Sequence, residues 1–511
     1  MASQTANQSR WTLAHLLRQS GVVAHNAIPD DRSIALITDD SRKCAPGCCF
    51  VAVKGAASDG HTFLDAAISA GATAVVVDRP VSVPPGVFAI RVDDTRSALA
   101  RLVATFHGLC GDVGRPLRIV GVTGTNGKTT VAWLLRSILR AAGHKTALLG
   151  TVEYDLAGLR LSSPLTTPDA LTLCGHLATA RERGATHAVM EVSSHALDQR
   201  RVDGLDFAAG VFTNLTGDHL DYHGTMDDYF IAKRRLFEAL SPGAVAVLNA
   251  DDPRCATLAA ATRARCVTYA IENPLADWSA SIERMDRTGT RLRFSAKGRT
   301  LSMSTSMIGA HNVQNLLAAA ATADALGVEW PAITEGLESC GGVPGRLQRA
   351  EPPGWPFSVF VDYAHTDDAL RNVLTTLRPL TPGRLICVFG CGGDRDRTKR
   401  PRMSAVAEQF ADVAWVTSDN PRTERPEAIV EEIVAGLTHR GVCRVEVEVD
   451  RRAAIRAALQ DAAEGDTVLI AGKGHENYQI VGRETLPFDD VEEARHWMEP
   501  AAIHAIPLEV A

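Results

Sequence analysis

The sequence predicts an α/β protein of three successive α/β domains, the central one built on a parallel sheet and the C-terminal one Rossmann-like. Three observations predict it. At 511 residues the chain is too long for one core, and about 150 residues per domain is the usual expectation. Short apolar runs of strand length alternate with helical patterns from one end to the other. Those runs end in polar or glycine-rich turns, the place where open α/β sheets hold their ligands.

Composition narrows the function classes. Hydrophobic residues at 45% and charged residues at 22% describe an ordinary globular protein, not a disordered or fibrous one. A net charge of -7 removes the electrostatic case for nucleic acid or an anionic membrane. The basic stretch RDRTKRPR can still bind a small anion. No run reaches the ~18 apolar residues of a membrane span, and the start MASQTANQSRWTLAHLL lacks the apolar core of a secretion signal. The eleven cysteines form no regular framework, so free thiols in a reducing cytoplasm are expected. Zinc at Cys44, Cys48 and Cys49 is the weaker alternative, since no second pair or histidine cluster follows them.

The first block, residues 1–112, carries the apolar runs CFVAVKG, ATAVVVD and GVFAIRVDD with the helical pattern TFLDAAISAG between them. The second, residues 113–345, opens on the strand RIVGVTG, which the reading ends at Val120. It continues through HAVMEV, FAAGVFTNL and GAVAVLNADD. Near its end RLRFSAKGRTLSMS alternates across a glycine turn and predicts a hairpin. NVQNLLAAAATADALG predicts an alanine-rich helix stopped by Gly327. GGVPGR, Gly341 to Arg346, is the candidate hinge. The third block, residues 346–511, alternates again through FSVFVDYAH, RLICVFGCGG, DVAWVTSDNPR and DTVLIAGKGHE.

RIVGVTGTNGKTTVAWLL predicts a phosphate-binding loop, although Val122 stands where the common spacing has its first glycine. Strand, glycines, Lys-Thr-Thr and helix all agree. Glycines let backbone N–H groups turn to an anion, and the helix start adds partial positive charge. Lys128 can reach outer phosphates and Thr129 can hold magnesium. A plain glycine turn with an incidental lysine explains fewer of these features. Glu191, after the run ATHAVM, is the candidate carboxylate for the metal. The guanine-specifying N-K-x-D pattern is missing from the sequence, which favours ATP.

FTNLTGDHLDYHG crowds Asn214, Asp218, His219, Asp221, Tyr222 and His223 together. Flanking glycines and the lack of H-E-x-x-H argue for a loop near a hard cation over a zinc helix. Lys233 on the next helix reads, taken alone, as a solvated lysine. GCGGDRD is not a dinucleotide fingerprint, because Arg395 occupies the last glycine position. Arg395 and Arg422 suit carboxylates, whereas Glu476 suits an ammonium group. Groups of both signs in one block point to an amino-acid ligand.

In chain order, GTNGKTT, MEVSSHALDQRR, FTNLTGDHLDYHG, HNVQN, VDYAHTDDAL, CGGDRDRTKRP and GKGHE match the motifs of the Mur ligases. The chain resembles that family over nearly its whole length, and the family's loop shares the irregular spacing. The resemblance implies an ATP-dependent amide ligase of bacterial cell-wall precursor synthesis. It implies a UDP-muramoyl-substrate domain at 1–112, a P-loop ATP domain at 113–345 and an amino-acid domain at 346–511. Within the family SDNPRT resembles the form that adds meso-diaminopimelate, not lysine, to the D-glutamate side-chain carboxylate of UDP-N-acetylmuramoyl-L-alanyl-D-glutamate. Magnesium and ATP, these two substrates, a cytoplasmic location and a monomer complete the expectation.

Carried over position by position, Gly124, Thr125, Asn126, Gly127, Lys128, Thr129 and Thr130 cradle ATP, and Asn312, Arg346 and Asp362 touch the nucleotide. Thr129 and Glu191 hold magnesium. His219 and Lys233 serve a second magnesium, with Lys233 carbamylated to N6-carboxylysine. Lys128, Glu191, His219 and Lys233 make the implied catalytic set. The UDP-muramoyl dipeptide is implied to meet Ser41, Gly55, Ala56, Ala57, Ser58, Thr166, Thr167, Ser193, Gln199 and Arg201. Diaminopimelate is implied to meet Arg395, Asp419, Asn420, Pro421, Arg422, Gly472 and Glu476. Leu165 replaces an asparagine of some relatives, so that contact is not carried over, and Asp39 stands where relatives often have an apolar residue. The implied mechanism is acyl phosphate formation followed by amine attack, with closure of the third domain excluding water. A folate-type polyglutamate ligase is disfavoured by SDNPRT and the DSR of the first block. A P-loop switch is told apart by phosphate release that needs no amine.

Overall fold

The computed structural model describes residues 11–26, 32–55, 58–110, 117–438 and 442–499. These fall into two compact units. One comprises Met1–Ser279 and Asn315–Leu337, the other Ala280–Gln314 and Glu338–Ala511. The GGVPGR turn lies within the second unit, where Tyr363 N donates to Gly345 O at 2.9 Å. The boundary expected between 112 and 113 lies outside the described residues.

The first unit contains two sheets. A small all-parallel sheet pairs Leu36–Thr38, Cys48–Val51, Ala72–Val77 and Phe88–Arg91 in that order. The helices Leu13–Ser20 and Thr95–Phe106 accompany it, each started by a side-chain cap, Thr12 and Asp94. The larger sheet places Arg118–Thr123 centrally. His187–Glu191 and then Thr146–Leu149 lie on one side of it; Phe207–Phe212, Val245–Asn249 and Arg265–Ala270 lie on the other. All these pairings are parallel. The strands are short and almost wholly apolar because both faces are covered. Strand order therefore reverses beside Arg118–Thr123, which makes its carboxyl end a switch point.

The strand runs three residues beyond the expected stop at Val120, to Thr123. Pairing explains the extension: Val122 aligns with Glu191 on one side and Thr123 with Phe212 on the other. Thr146–Leu149 was not picked out in the sequence reading; it has only four residues, set between Gly143 and Gly150.

In the second unit Gly289–Ala296 and Arg299–Thr305 form the expected antiparallel hairpin. Its main sheet has the order Gln348–Arg349, Ser358–Asp362, Thr467–Ala471, Leu385–Cys391, Val413–Ser418 and Arg444–Val447. Only the first pairing is antiparallel. Side chains alternate between two cores. Leu385, Cys387 and Phe389 face one; Ile386 and Val388 face the other. The alanine-rich helix Ala310–Ala325 is followed by Gly327 in the left-handed region at φ 88°.

One buried ion pair braces the strand ends of this sheet. Arg451 donates to Asp490 at 2.8 and 2.7 Å, and both side chains are fully buried. The same guanidinium donates to Ala471 O at 3.0 Å and Ser418 O at 3.3 Å, immediately before Gly472 and Asp419. Removing one member of such a pair costs about 3–5 kcal/mol, because the other charge is left buried alone. Among the described residues no helix is long and apolar enough to cross a membrane.

Candidate functional site

The glycine-rich loop begins where Arg118–Thr123 ends and finishes at the helix Lys128–Ala141, whose N-cap is Gly127 at φ 86°. Gly124 has φ 147°. A Cβ at Gly124 would overlap the Thr213 hydroxyl, and one at Gly127 would overlap the Asn315 side chain. Thr213 Oγ1 donates to Asn126 O at 2.5 Å, and Asn126 N donates to Asn214 Oδ1 at 2.9 Å. The strand Phe207–Phe212 therefore holds the loop through the two residues that follow it.

Two lysines converge on one carbonyl of this loop. Lys128 Nζ donates to Gly124 O at 3.0 Å and Thr125 O at 2.8 Å. Lys233 Nζ donates to the same Gly124 O at 2.7 Å. Lys233 is 1% exposed, which overturns the reading of a solvated lysine. Its helix, Met226–Glu238, buries Tyr229, Phe230, Ala232, Lys233, Leu236 and Phe237, so the lysine lies on the apolar stripe. Burial first, and then the Lys128 charge, holds its amine well below the ordinary lysine value.

Glu191 ends the neighbouring strand and is 1% exposed. Thr129 Oγ1 donates to its Oε2 at 3.0 Å. Thr151 donates to both oxygens, N to Oε1 at 2.7 Å and Oγ1 to Oε2 at 3.0 Å. A hydroxyl and a carboxylate at the start of the loop helix are hard oxygen donors. They fit magnesium, which takes one or two protein oxygens beside those of a phosphate. Among the described residues no group of three or more His, Cys, Asp and Glu side chains is arranged for a metal.

His219 sits in the left-handed region at φ 54° and caps the one-turn helix Leu220–His223. The expected loop is therefore a helical turn, closed by His223 N donating to His219 O at 3.0 Å. Burial pushes the His219 imidazole down to about 4. His195 packs against it edge-on at 5.0 Å and against Tyr222 at 4.2 Å.

The residues implied for the muramoyl peptide form one network. Thr167 Oγ1 donates to Glu191 O at 2.9 Å and accepts from Ser193 N at 3.0 Å. Arg201 donates to Thr167 O at 2.7 Å and to Gln199 Oε1 at 2.7 Å. Thr166 and Thr151 hydroxyls are 3.1 Å apart. Leu165 is exposed, and its carbonyl accepts from the Tyr154 hydroxyl. Ser41 begins a short 3-10 turn capped by Asp40, and Gly55 N donates to Ser58 O at 2.8 Å. Burial, with Asp169 nearby, raises the Asp39 carboxyl. Ala56 and Ala57 lie outside the described residues.

In the second unit Asn312 is buried and donates to Ile308 O at 2.8 Å. Asp362 accepts from Leu347 N at 2.7 Å and Ala364 N at 2.8 Å, and burial raises its carboxyl. Arg346 lies over the Tyr363 ring at 4.6 Å. Asp419, Asn420, Pro421 and Arg422 follow the strand Val413–Ser418; Gly472 and Glu476 follow Thr467–Ala471. Asn420 Nδ2 donates to Glu476 Oε2 at 2.9 Å. Gly472, at φ 117°, lies against the Asp419 carboxylate. Arg422, at φ 52°, donates to Gly393 O at 2.8 Å. Arg395 is exposed and donates to Asp394 O at 3.3 Å.

Three buried cations in this unit were missed by the sequence reading: Lys473, Arg400 and Arg451. Arg400 is held by Glu424 and Glu432, and it keeps the Glu424 carboxyl down at about 2. The partners of Arg400 and Arg451 are remote in sequence, so no local pattern marks those two. Lys473 alone had a signal, since it sits inside GKGHE.

Residues 122–323 match the Mur ligase middle domain, 345–474 the Mur ligase glutamate ligase domain, and 33–107 the Mur ligase family catalytic domain. The chain belongs to the Mur ligase family. Among curated Mur ligases, the UDP-N-acetylmuramoyl-L-alanyl-D-glutamate–2,6-diaminopimelate ligase of Gloeobacter violaceus is 45% identical over 94% of this chain and 97% of its own. The enzyme of the same name from Syntrophomonas wolfei subsp. wolfei is 44% identical over 90% and 94%. A solved Mur ligase structure of that name superposes with a TM-score of 0.70 at 34% identity, over 95% of this chain and 100% of its own. The ADP complex of the MurF ligase from Thermotoga maritima has the same fold, with a TM-score of 0.57 at 20% identity, over 90% and 96%.

The loop geometry makes a direct prediction. Gly124→Ala forces a Cβ into the Thr213 hydroxyl at a φ that side chains avoid, so it is expected to destabilise the protein by about 1–3 kcal/mol. Gly243→Ala, where a Cβ meets open space, is the control and should stay within about 0.5 kcal/mol. Denaturant titration of both variants checks this; equal stabilities would show that the loop tolerates a side chain.

Proposed function

We propose that this Mur ligase joins meso-diaminopimelate to the D-glutamate side-chain carboxylate of UDP-N-acetylmuramoyl-L-alanyl-D-glutamate, at the expense of ATP, in peptidoglycan precursor synthesis. One observation carries the reading: the chain has both a phosphate loop with a buried acid and a set of opposite charges suited to an amino acid. Identity of 44–45% to ligases named for this reaction supports it. In this reading 1–112 serves the UDP moiety, 113–345 ATP and 346–511 the amino acid. The enzyme acts as a monomer in the cytoplasm, and its free cysteines suit that compartment.

Amide formation from a carboxylate is uphill in water, and carboxylate oxygen is a poor leaving group. In the proposed route a glutamate carboxylate oxygen attacks the γ-phosphorus of ATP, the bond to ADP breaks, and an acyl phosphate forms. An amine of diaminopimelate then attacks the acyl carbon. Phosphate leaves with the bonding pair, and the amine proton passes to solvent or base. Bringing carboxylate and phosphate to ~4 Å costs ~4 kcal/mol per charge pair at an effective dielectric near 20. Lys128 and the backbone N–H groups from Gly124 to Thr130 offset that repulsion. Thr129 and Glu191, and His219 with carbamylated Lys233, would hold magnesium, which would supply further counter-charge. The convergence of Lys128 and Lys233 on Gly124 O favours carbamylation, because burial and the Lys128 charge push Lys233 towards the neutral amine that takes up carbon dioxide, and the carbamate then faces Lys128 as an anion.

Thr167, Ser193, Gln199 and Arg201 orient the peptide that carries the reacting carboxylate. Arg395 and Arg422 bind carboxylate of the incoming amino acid, while Asp419 and Glu476 take its ammonium. No side chain acts as a covalent nucleophile in this scheme.

Rapid phosphate release should require ATP, UDP-muramoyl dipeptide and diaminopimelate together; release without the amino acid would point to a plain NTPase. Lys128→Ala is expected to lower turnover about a thousandfold, or ~4 kcal/mol of transition-state stabilisation, and near-normal ligation would refute its role. Arg422→Ala should weaken diaminopimelate binding at least tenfold more than ATP binding, as read by calorimetric titration. For Lys233, crystals grown with bicarbonate should show density for the carbamate; density ending at the amine counts against it.

A further inference from the structure

Lys473 has no part in the scheme above, yet it occupies the middle of the proposed amino-acid site. Its side chain is 0% exposed, and its ammonium lies 3.7 Å from Asp419 Oδ1. It donates to Asn420 Oδ1 at 3.2 Å and to Glu476 Oε2 at 3.4 Å. The Tyr478 ring lies 5.5 Å away. A cation buried this deeply is stable only when paired, and all three of its polar neighbours belong to the set assigned to the amino acid.

Two consequences follow from this placement. The first concerns orientation. Asn420 Oδ1 accepts from Lys473 and also from Ile480 N at 2.9 Å. With the oxygen fixed by two donors, the amide nitrogen must face Glu476, where it donates at 2.9 Å. Lys473 thereby fixes both the Asn420 flip and the Glu476 carboxylate. The second concerns charge. Lys473 is the cation that faces Asp419 at 3.7 Å and Glu476 at 3.4 Å, so with Arg395 and Arg422 the set holds three cations against two carboxylates.

We propose that Lys473 is a positioning and specificity-determining residue for the incoming amino acid. It locks the Asn420–Glu476 pair and tips the site towards a ligand whose far end carries a carboxylate beside its ammonium. A ligand whose far end is an ammonium alone is disfavoured. Diaminopimelate is the first kind and lysine the second. The inference rests on the amino-acid site proposed above.

The test compares the full-length protein with Lys473→Met and Lys473→Gln, using ATP, the UDP-dipeptide and either meso-diaminopimelate or L-lysine. Amide product is quantified by mass spectrometry. Both variants are expected to raise KM for diaminopimelate at least tenfold and to leave KM for ATP within twofold. The ratio of kcat/KM for diaminopimelate over lysine should fall at least tenfold. A ratio within threefold of the unsubstituted protein, with both acceptors slowed alike, overturns the proposal. Loss of cooperative thermal melting in both variants also overturns it, since Lys473 would then be a structural ion-pair member. Failure of the unsubstituted protein to join either amino acid is a different result, and it sinks the ligase reading itself.

Discussion

The path of the phosphate loop depends on residue 124 having no side chain. Backbone that must pass against the Thr213 hydroxyl and the Asn214 main chain leaves no volume for a Cβ. This close approach lets Thr213 and Asn214 bond the loop at Asn126, and it turns the Gly124 carbonyl towards Lys128 and Lys233. The neighbouring strand then brings Glu191 to Thr129 at the first turn of the helix. Each of these contacts is a consequence of strand order, because Phe207–Phe212 and His187–Glu191 flank the loop strand from opposite sides.

Charge is handled in the same way at both proposed sites: each buried ionic group is given partners that fix its direction. Glu191 accepts from Thr129 and Thr151, so its oxygens are oriented before any ligand arrives. In the second unit, Arg451 with Asp490 pins the carbonyls of Ser418 and Ala471. The next residues, Asp419 and Gly472, begin the two segments that carry Asn420, Arg422 and Glu476. A deep ion pair is weak evidence for stability. Here it fixes where two strands stop, which matters more for a site made of strand ends.

The sequence exposes what is local and hides what is not. The loop is legible because strand, glycines, lysine, threonines and helix are contiguous, and Glu191 is legible because it closes an apolar run. The hairpin at Gly289–Ala296 and Arg299–Thr305 declares itself by alternation. The burial of Lys233 is a different case. It follows Tyr229 by one helical turn and precedes Phe237 by another, so the periodicity contained the signal, but a charge on an apolar stripe reads as an exception. Arg451 finds Asp490 across 39 residues, which no spacing rule anticipates. The short strand Thr146–Leu149 is made a strand by its pairing with His187–Glu191, whereas Arg444–Val447 was legible in the alternation of valine and charge in RVEVEV and was overlooked.

The fixed amide of Asn420 also bears on how this protein ages. Hydrolysis of that amide to a carboxylate would set a third acid beside Asp419 and Glu476 and remove one of the donors that Glu476 accepts from. Spontaneous deamidation ordinarily proceeds through attack on the side-chain carbonyl by the backbone nitrogen of the following residue. That residue is Pro421, whose ring nitrogen carries no hydrogen. The cyclic imide cannot close there, so the neighbour in sequence guards the asparagine against the common route of chemical decay.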